Sequence, residues 1–478
     1  MPILPVAYQR FAFSRAPALL ASTCVTALLL GAPAQAGQTV VNMTVQTVNN
    51  PAGNNTTSIV INGSKVTGAV TNAGTITPGV LIVNTAVALA IDNSNVGGGI
   101  TNSGTINANV KNTINTVGIG IVSQVSNVIA GGISNSGAIN VSNAPGVESG
   151  ISFFGGMVSG GISNSNSITT SGARSAFGII GNSLVAGGVS NSGTITLSGA
   201  TTLAIGIKLT ATASGGRGII SGGVVNSGTL TLSGAATVAG IAVNSSSVTD
   251  TGVKSTNAIT VSATKTGVGI ALNNSAVTGG VSNSGVITVT GTAANAAGIV
   301  ANLSSVTSNG IVNTSTGTIT VAGGVTGVGI VVTGSSVSGG ILNAGAIKTT
   351  GGLTAFGIET VGGTVTGGIT NSGTITLSGA KTQAVGIDIN IDTQVGVPST
   401  VSGGVTNTGT ITVSGAGQAA GIAVNAGLIS DTGITNKGTI TVSASNNAAG
   451  IGLNAATVAG GVLNAGAIAV SSSGSGNA

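Results

Sequence analysis

The sequence predicts an all-β protein, a parallel β-helix (β-solenoid) of about 14 repeats of about 30 residues each. Three observations predict this fold. The phrase GGITNSGTITLSGA at 367–380 returns almost unchanged at 187–200, and weaker copies recur along most of the chain. Within each copy apolar and polar residues alternate, as in a β-strand with one buried face. A repeat of this length is typical of solenoids, propellers and arrays, and the near absence of aromatic residues argues against propeller blades.

The first 36 residues have a composition of their own. Arg10 and Arg15 precede a mainly apolar run at 18–30, and Ala34 and Ala36 complete an A-x-A cleavage pattern. This arrangement predicts a secretory signal peptide that is removed before residue 37. A membrane anchor is the alternative, but the apolar run is shorter than the ~20 residues that a spanning helix needs.

The single cysteine, Cys24, lies inside this predicted signal peptide. The mature chain therefore has no cysteine, and its fold cannot depend on disulfides, as many small secreted domains do. The apolar core of the repeats must stabilise it alone.

The repeats align on one asparagine, which is replaced by serine in the seventh copy. The mean spacing is (464 − 72)/13, or about 30 residues. From this alignment we predict an irregular N-terminal cap at 37–67, a solenoid at 68–470 and a Ser/Gly tail at 471–478. The aligned positions are Asn72, Asn102, Asn135, Asn164, Asn191, Asn226, Ser255, Asn283, Asn313, Asn343, Asn371, Asn407, Asn436 and Asn464.

A second strand follows later in most repeats. It reads VGIDIN at 385–390, AGIAVN at 420–425 and VGIALN at 268–273. Ser-Gly, Gly-Gly and Asn-Ser-Gly clusters separate the strands, and these are turn residues. We therefore expect three or four short strands per repeat, wound around one apolar core.

A glycine stands two residues after the asparagine in most repeats, as at Gly193, Gly373 and Gly409. In two repeats this position holds asparagine instead, Asn166 and Asn257. Glycine and asparagine are the residues that best tolerate a left-handed backbone. The substitution predicts a positive φ at this position, where the chain bends from one strand into the next.

The aligned asparagines, among them Asn191, Asn371 and Asn407, share the parity of the inward apolar residues. If they face inward, their amides stack on their copies in neighbouring turns and form an asparagine ladder. The alternative is a solvent-exposed turn residue.

A longer repeat overlies the short one. Phe177 matches Phe356 at an offset of 179 residues, and Asp250 matches Asp431 at an offset of 181. A block of about six repeats is therefore duplicated, which a solenoid tolerates because each turn contacts only its neighbours.

The GGITNSGTI phrases behind a signal peptide resemble the passenger regions of autotransporter (type V secretion) adhesins of Gram-negative bacteria. The resemblance covers residues 68–470. It implies a right-handed parallel β-helix that is displayed on the cell surface or released from it. The family's C-terminal translocator barrel has no counterpart in the printed sequence. We therefore expect membrane attachment only through an export partner or through a barrel missing from this chain.

Composition narrows the possible functions. Only 4% of residues are charged and 1% are aromatic, and histidine is absent, which excludes Ser-His-Asp and Cys-His catalysis. Without Arg10 and Arg15 the net charge is (12 − 2) − 7 = +3, and the basic residues are scattered, so no nucleic-acid partner is expected. We predict no catalytic residue and no cofactor. The expected function is that of an exported adhesin or structural spacer, with surfaces, glycans or other copies of the chain as partners.

The acidic residues are few, and only the DINID segment indicates a site. Asp388, Asn390 and Asp392 share one parity, so this trio is a weak candidate for Ca²⁺ or for sugar contact, as in a polysaccharide-cleaving β-helix enzyme. The alternative is a solvated outer face. Asp250 and Asp431 replace a glycine of the Gly-Gly turn, and we interpret them as turn residues.

Threonines flank the inward Ile or Leu in many repeats and predict two outward files. Such T-x-T files resemble the flat faces of ice-binding β-solenoids, which gives ice or surface binding as an alternative function. Other repeats interrupt the files, and threonine is also a good strand former. The paired positions are Thr194 and Thr196, Thr229 and Thr231, Thr374 and Thr376, Thr410 and Thr412, and Thr439 and Thr441.

Overall fold

A computed structural model of the chain describes residues 37–78, 85–111, 113–122, 127–211 and 218–474. The regular elements of these residues are β-strands, and none of the described residues lies in a helix. The chain divides into two compact units, which comprise residues 37–251 and 252–474 of the described part. Each unit is a β-solenoid, which confirms the predicted fold class.

Each full turn contains four strands, at the upper end of the predicted number. In one turn these are a short strand at Thr364–Thr366, an Asn strand at Ile369–Asn371, a Thr strand at Thr374–Ser378 and a Gly-Ile strand at Gln383–Asn390. The strands are rich in Val, Ile and Thr, which favour extended backbone, and Gly, Asn and Ser occupy the corners.

In the unit 37–251 the four series have the following bounds. The Gly-Ile strands are Gln38–Val41, Ile59–Asn62, Thr85–Asp92, Asn115–Ile121, Val147–Phe153, Ser175–Gly181, Leu203–Leu209 and Thr237–Asn244. The short strands are Thr44–Val45, Lys65–Val66, Asn95–Val96, Val128–Ile129, Met157–Val158, Leu184–Val185, Gly218–Ile220 and Ser246–Val248. The Asn strands are Val48–Asn50, Val70–Asn72, Ile100–Asn102, Ile133–Asn135, Ile162–Asn164, Val189–Asn191 and Val224–Asn226. The Thr strands are Asn55–Thr56, Thr75–Ile76, Thr105–Asn109, Ala138–Ser142, Ser167–Ser171, Thr194–Ser198 and Thr229–Ser233.

In the unit 252–474 the same series recur. The Asn strands are Val253–Ser255, Val281–Asn283, Ile311–Asn313, Ile341–Asn343, Ile369–Asn371, Val405–Asn407, Ile434–Asn436 and Val462–Asn464. The Thr strands are Ile259–Ala263, Val286–Gly291, Thr318–Gly323, Ala346–Gly351, Thr374–Ser378 and Ala467–Ser472. The Gly-Ile strands are Thr266–Asn273, Asn295–Asn302, Thr326–Thr333, Thr354–Val361 and Gln383–Asn390. In two turns the Thr and Gly-Ile strands are continuous, at Thr410–Asn425 and Thr439–Asn454. The short strands are Ala276–Thr278, Ser305–Thr307, Ser336–Ser338, Thr364–Thr366, Thr400–Ser402, Leu428–Ile429 and Thr457–Val458.

Strands of the same series pair in parallel from one turn to the next. The register places equivalent residues over one another: Ile341 pairs with Ile369, and Asn343 pairs with Asn371. Hydrogen-bonded strands lie about 4.8 Å apart, so every position of the repeat becomes a file of side chains along the unit. A residue type that recurs in the sequence therefore becomes a continuous feature of the surface or of the core.

The Thr strands have one buried and one exposed face. Ile375 and Leu377 are fully buried, whereas Thr374 and Thr376 between them are exposed. This alternation is the one that the sequence predicts, and it assigns the isoleucine file to the core.

Most Gly-Ile strands differ, because both of their faces are buried. In Gln383–Asn390 only the last residue is partly exposed. A Cβ at Gly386 would overlap the Ile411 side chain and the Gly421 carbonyl oxygen of the next turn, so only glycine fits there. Polar side chains on these strands are therefore removed from water, which sequence alternation alone does not indicate.

The structure differs from the predicted boundaries in two places. Residues 37–67, expected to form an irregular cap, contain strands in regular parallel pairing, for example Gln38–Val41 on Ile59–Asn62. The shorter repeat there lacks the GGITNSGTI phrase but keeps the strand alternation. The last strand, Ala467–Ser472, extends two residues into the predicted tail. The predicted signal peptide at 1–36 lies outside the described residues.

Candidate functional site

The inward asparagines of the unit 37–251 form a hydrogen-bonded ladder. Each side-chain amide donates from Nδ2 to the Oδ1 of the asparagine one turn further along the chain, with donor–acceptor distances of 2.6 to 2.8 Å. The ladder includes Asn50, one turn before the first aligned repeat. The sequence alignment did not include Asn50 because no Ser-Gly follows it. Its members are Asn50, Asn72, Asn102, Asn135, Asn164, Asn191 and Asn226.

The unit 252–474 contains a second ladder of the same kind. Its donor–acceptor distances are 2.7 to 2.9 Å. Its members are Asn283, Asn313, Asn343, Asn371, Asn407, Asn436 and Asn464.

Burial decides between the two interpretations of these asparagines. Asn371 and Asn407 are 0% exposed, so they are not solvent-exposed turn residues. The amide of Asn191 also donates to the carbonyl of Gly193 at 3.1 Å, so one side chain links two turns and holds its own corner. Buried amides are stabilising only when satisfied, and the ladder satisfies them in series.

The serine of the seventh repeat leaves one ladder position incomplete. Ser255 pairs in register with Asn283. The Asn283 Oδ1 atom is buried and has no hydrogen-bond partner. The shorter serine side chain does not supply the amide that donates at this position elsewhere.

The prediction of a positive φ at Gly193, Gly373 and Gly409 is wrong, as it is for Asn166 and Asn257. None of these residues has a left-handed backbone. Glycine is favoured there because successive corners approach each other closely. A Cβ on Gly373 would overlap the Gly345 carbonyl oxygen of the preceding turn, and the other two glycines meet the preceding turn in the same way.

Asn166 shows which backbone hydrogen bonds are lost when a residue with a side chain occupies this corner. At the following repeat, Gly193 donates its N–H to the Asn164 carbonyl at 3.1 Å, and Thr194 donates to Asn166. The two equivalent bonds from Asn166 and Ser167 to the preceding turn are not formed. Instead the Asn166 Nδ2 donates to the Ser136 carbonyl at 3.0 Å, which replaces part of what is lost.

At the second exception, Asn257, the side-chain Oδ1 accepts from the N–H of the next residue, Ala258, at 2.8 Å. The asparagine side chain can therefore bond locally to the backbone at these corners. That ability, rather than tolerance of a positive φ, distinguishes it from other side chains here.

Left-handed residues lie at other corners, among them the Gly-Gly turn, as at Gly404 with φ 79°. Asp431 adopts φ 67° in the turn that replaces Gly-Gly, and its Oδ2 accepts from the Gly403 N–H at 2.8 Å. Asp250 does the same toward Gly222 at 2.7 Å. The interpretation of both aspartates as turn residues is confirmed.

The DINID trio does not form one polar face. Asp388 is 0% exposed, so the solvated-face interpretation is wrong for it, because the Gly-Ile strand is buried on both sides. Asn390 donates from Nδ2 to the Asp388 Oδ2 at 3.1 Å. Asp392 instead closes a local turn: its Oδ1 accepts from the Gln394 N–H at 3.0 Å, and its own N–H donates to the Val397 carbonyl.

A second carboxyl group lies beside Asp388. Glu359, 2% exposed, is its direct register partner on the preceding turn. The sequence contained the signal, since Glu359 occupies the equivalent position of GIET one repeat before GIDI. Recognising the pair required the register, which aligns position 359 with 388.

The threonine files are in register where the sequence repeats TIT. Thr374 pairs with Thr410 and Thr410 with Thr439, and the second file follows the same order through Thr376, Thr412 and Thr441. These side chains are exposed or half-buried. Lys348 precedes the second file and Ala469 follows it, so the uninterrupted array is three turns long.

Two charged residues in the unit 37–251, the buried Glu148 and the half-buried Lys208, were not predicted as site residues from the sequence. Glu148 is 0% exposed, and its Oε1 accepts from the Ala144 N–H at 3.1 Å. Burial raises its pKa to about 7, although backbone hydrogen bonds from Ala144 and Ser171 oppose the shift. Its Oε2 is buried without a partner.

The other group is Lys208, whose Nζ lies 4.9 Å from the centre of the Phe177 ring. Desolvation by burial lowers the Lys208 pKa to about 8. Both residues stand where most other repeats have small or apolar side chains, which is the sequence signal for them.

Among the described residues no three His, Cys, Asp or Glu side chains lie together as metal ligands, and no helix could cross a membrane. Compared with the models of known protein families, with curated proteins and with solved structures, the chain matches none.

Proposed function

We propose that this chain is an exported β-solenoid that acts as a non-catalytic adhesin or structural spacer at the cell surface. The observation that carries the proposal is the set of in-register outward files on the Thr strands, such as Thr374, Thr410 and Thr439. They present a repeating, weakly charged hydroxyl surface on a scaffold held by an internal ladder. Surfaces, glycans or other copies of the chain are the partners that such a surface fits.

The export step has a direct test. The full chain is produced in a Gram-negative host, and the N-terminus of the mature protein is sequenced. We expect it to begin at Gly37. Retention of residues 1–36 would refute the signal-peptide part of the proposal and leave the adhesive part open.

Adhesion is tested on glycan arrays, on immobilised matrix proteins and on the protein itself. The test variant carries Thr376→Lys and Thr412→Lys on the outward file. The file already contains Lys348 in register, so this fold accepts lysine there. The matched control is Thr408→Lys at an exposed corner, where the next repeat naturally has Lys437. We expect binding to be lost in the test variant and kept in the control; no binding by the unmodified protein would reject the proposal.

Binding to ice or to a crystalline surface is a second candidate, and the uninterrupted three-turn threonine array favours it. Ice recrystallisation in the presence of the protein measures it directly. A polysaccharide-cleaving enzyme is less well supported, because the register-paired carboxyl groups of Glu359 and Asp388 are buried and cannot reach a polymer.

A further inference from the structure

Four large apolar side chains lie next to one another on the outside of the unit 37–251. They occupy the outward position of four successive short strands, and the residue that follows each of them is buried. Leu184 is 40% exposed and Ile219 is 44% exposed, whereas the other two are half-buried. We call this set the apolar stripe. Its members are Val128, Met157, Leu184 and Ile219.

The strand register makes the apolar stripe continuous. Val128 pairs with Met157, and Met157 pairs with Leu184. Ile219 follows on the next turn, because the residues after Leu184 and Ile219 pair with each other. Hydrogen-bonded strands lie about 4.8 Å apart, so three intervals give a stripe about 14 Å long. In the same file an asparagine precedes it and a serine follows it.

The fold does not need apolar side chains at these positions. In the duplicated block of the unit 252–474 the residues equivalent to Met157, Leu184 and Ile219 carry hydroxyl groups. They pair in the same register and are exposed or half-buried. These residues are Ser336, Thr364 and Thr400. One copy of the duplication therefore has a polar surface where the other has the apolar stripe, and the packing of the solenoid does not explain the difference.

A file of small, uncharged residues lies beside the apolar stripe. Each of them stands two positions after a member of the stripe and is partly or largely exposed. They are Ala130, Ser159, Ala186 and Ser221. The larger side chains of the stripe therefore project beyond this file, which offers no charge to a partner. Contiguous exposed apolar side chains of this kind mark interaction surfaces.

The size and surroundings of the apolar stripe limit what it can bind. A stable interface between two protein molecules takes about 20 to 30 residues on each side, so a stripe of four does not fit a second copy of the chain. A lipid bilayer does not fit either, because its hydrocarbon lies beneath the polar headgroups. Proteins anchor at that depth with Trp, Tyr, Lys or Arg, and the file beside the stripe has only alanine and serine.

We propose that the apolar stripe binds a solid hydrocarbon surface, one that presents methyl and methylene groups. Such a surface is flat and extended, so it contacts all four side chains at once and no partner side chain has to be ordered. Removal of apolar area from water supplies the free energy, without any hydrogen bond or ion pair. The stripe lies on the short strands, so this proposal goes beyond the adhesive surface of the Thr strands and does not depend on it.

The test is adsorption of the full chain to monolayers that end in methyl or in hydroxyl groups, followed by surface plasmon resonance. The test variant carries Met157→Ser, Leu184→Thr and Ile219→Thr, which are the residues that the duplicated block accepts at these positions. We expect at least about tenfold weaker adsorption to the methyl surface and a change of less than about twofold on the hydroxyl surface. Equal adsorption of the variant and the unmodified chain to the methyl surface would overturn the proposal.

Val286→Thr is the matched control. Val286 is 46% exposed but lies outside the apolar stripe, and its register partner on the next turn is Thr318, so the fold accepts threonine there. We expect this variant to adsorb to the methyl surface as the unmodified chain does. A loss as large as that of the test variant would show that any exposed apolar side chain acts alike, and the proposal would fail.

A transplanted stripe guards against loss of adsorption by misfolding. Ser336→Met, Thr364→Leu and Thr400→Ile together place the same side chains on the unit 252–474, and we expect adsorption to the methyl surface to rise at least about threefold. No rise, with the far-ultraviolet circular dichroism spectrum preserved, would contradict the proposal. Sedimentation velocity and flotation with phosphatidylcholine vesicles test the other partners. Dimers or vesicle binding that the unmodified chain shows and the test variant loses would assign the stripe to a second copy or to a bilayer instead.

Discussion

Replacing Glu148 by glutamine should change how the stability of the unit 37–251 depends on pH. Glu148 is fully buried, and one of its carboxyl oxygens has no partner. Its pKa rises from 4.5 in the unfolded chain to about 7 in the folded one, mainly through desolvation. Between these two values the folded protein binds more protons than the unfolded protein does.

The sign and size of the effect follow from this difference. Stability from the neutral carboxyl group is fully present below pH 4.5, falls as the pH rises and is lost above about pH 7. The rise of the Glu148 pKa from 4.5 to about 7 corresponds to about 3 kcal/mol, at about 1.36 kcal/mol for each change of one in pKa. Glutamine is neutral at every pH and has nearly the same shape, so Glu148→Gln should not lose this stability.

The assay is equilibrium denaturant unfolding of both proteins at intervals from pH 4 to pH 8.5. We expect similar free energies of unfolding near pH 4 and an advantage for Glu148→Gln that grows to about 2 to 3 kcal/mol by pH 8. Asp92→Asn is the comparison, because burial raises the pKa of the half-buried Asp92 in the same direction. A difference between Glu148→Gln and the unmodified chain that does not vary with pH would refute the reasoning.

Three further predictions concern the ladder and its corners, and thermal or denaturant unfolding measures all of them. Ser255→Asn should stabilise the unit 252–474 by about 1 kcal/mol, because it offers a donor to the unpartnered Asn283 Oδ1; no gain would show that the extra side chain does not reach it. Asn407→Ala should cost about 2 to 4 kcal/mol, since it breaks two buried hydrogen bonds, whereas Asn464→Ala at the exposed end of the ladder should cost clearly less. Gly373→Val should cost more than about 2 kcal/mol through overlap with the preceding turn, and Gly373→Asn less, as Asn166 indicates; equal costs would contradict the corner geometry.

The sequence by itself determined the repeat, the strands and the inward position of the asparagines. These are local properties: alternation of period two assigns each residue to a face, and a repeat of about 30 residues brings equal faces into one file. The turn role of Asp431 also followed from the sequence, because aspartate is a common turn residue in place of glycine. Its hydrogen-bond partner did not, since Gly403 lies on the preceding turn.

Only the tertiary structure decided whether each file of side chains contacts a neighbouring turn or water. The corner glycine at 373 is explained by a carbonyl oxygen of the preceding turn and not by its own φ, and no local pattern contains that distance. Alternation likewise placed Asp388 on an outer face, but the Gly-Ile strand is buried on both faces, so the carboxyl group lies out of water beside Glu359. The sequence specifies which side of a strand a residue occupies, whereas the packing of neighbouring turns decides whether that side meets water.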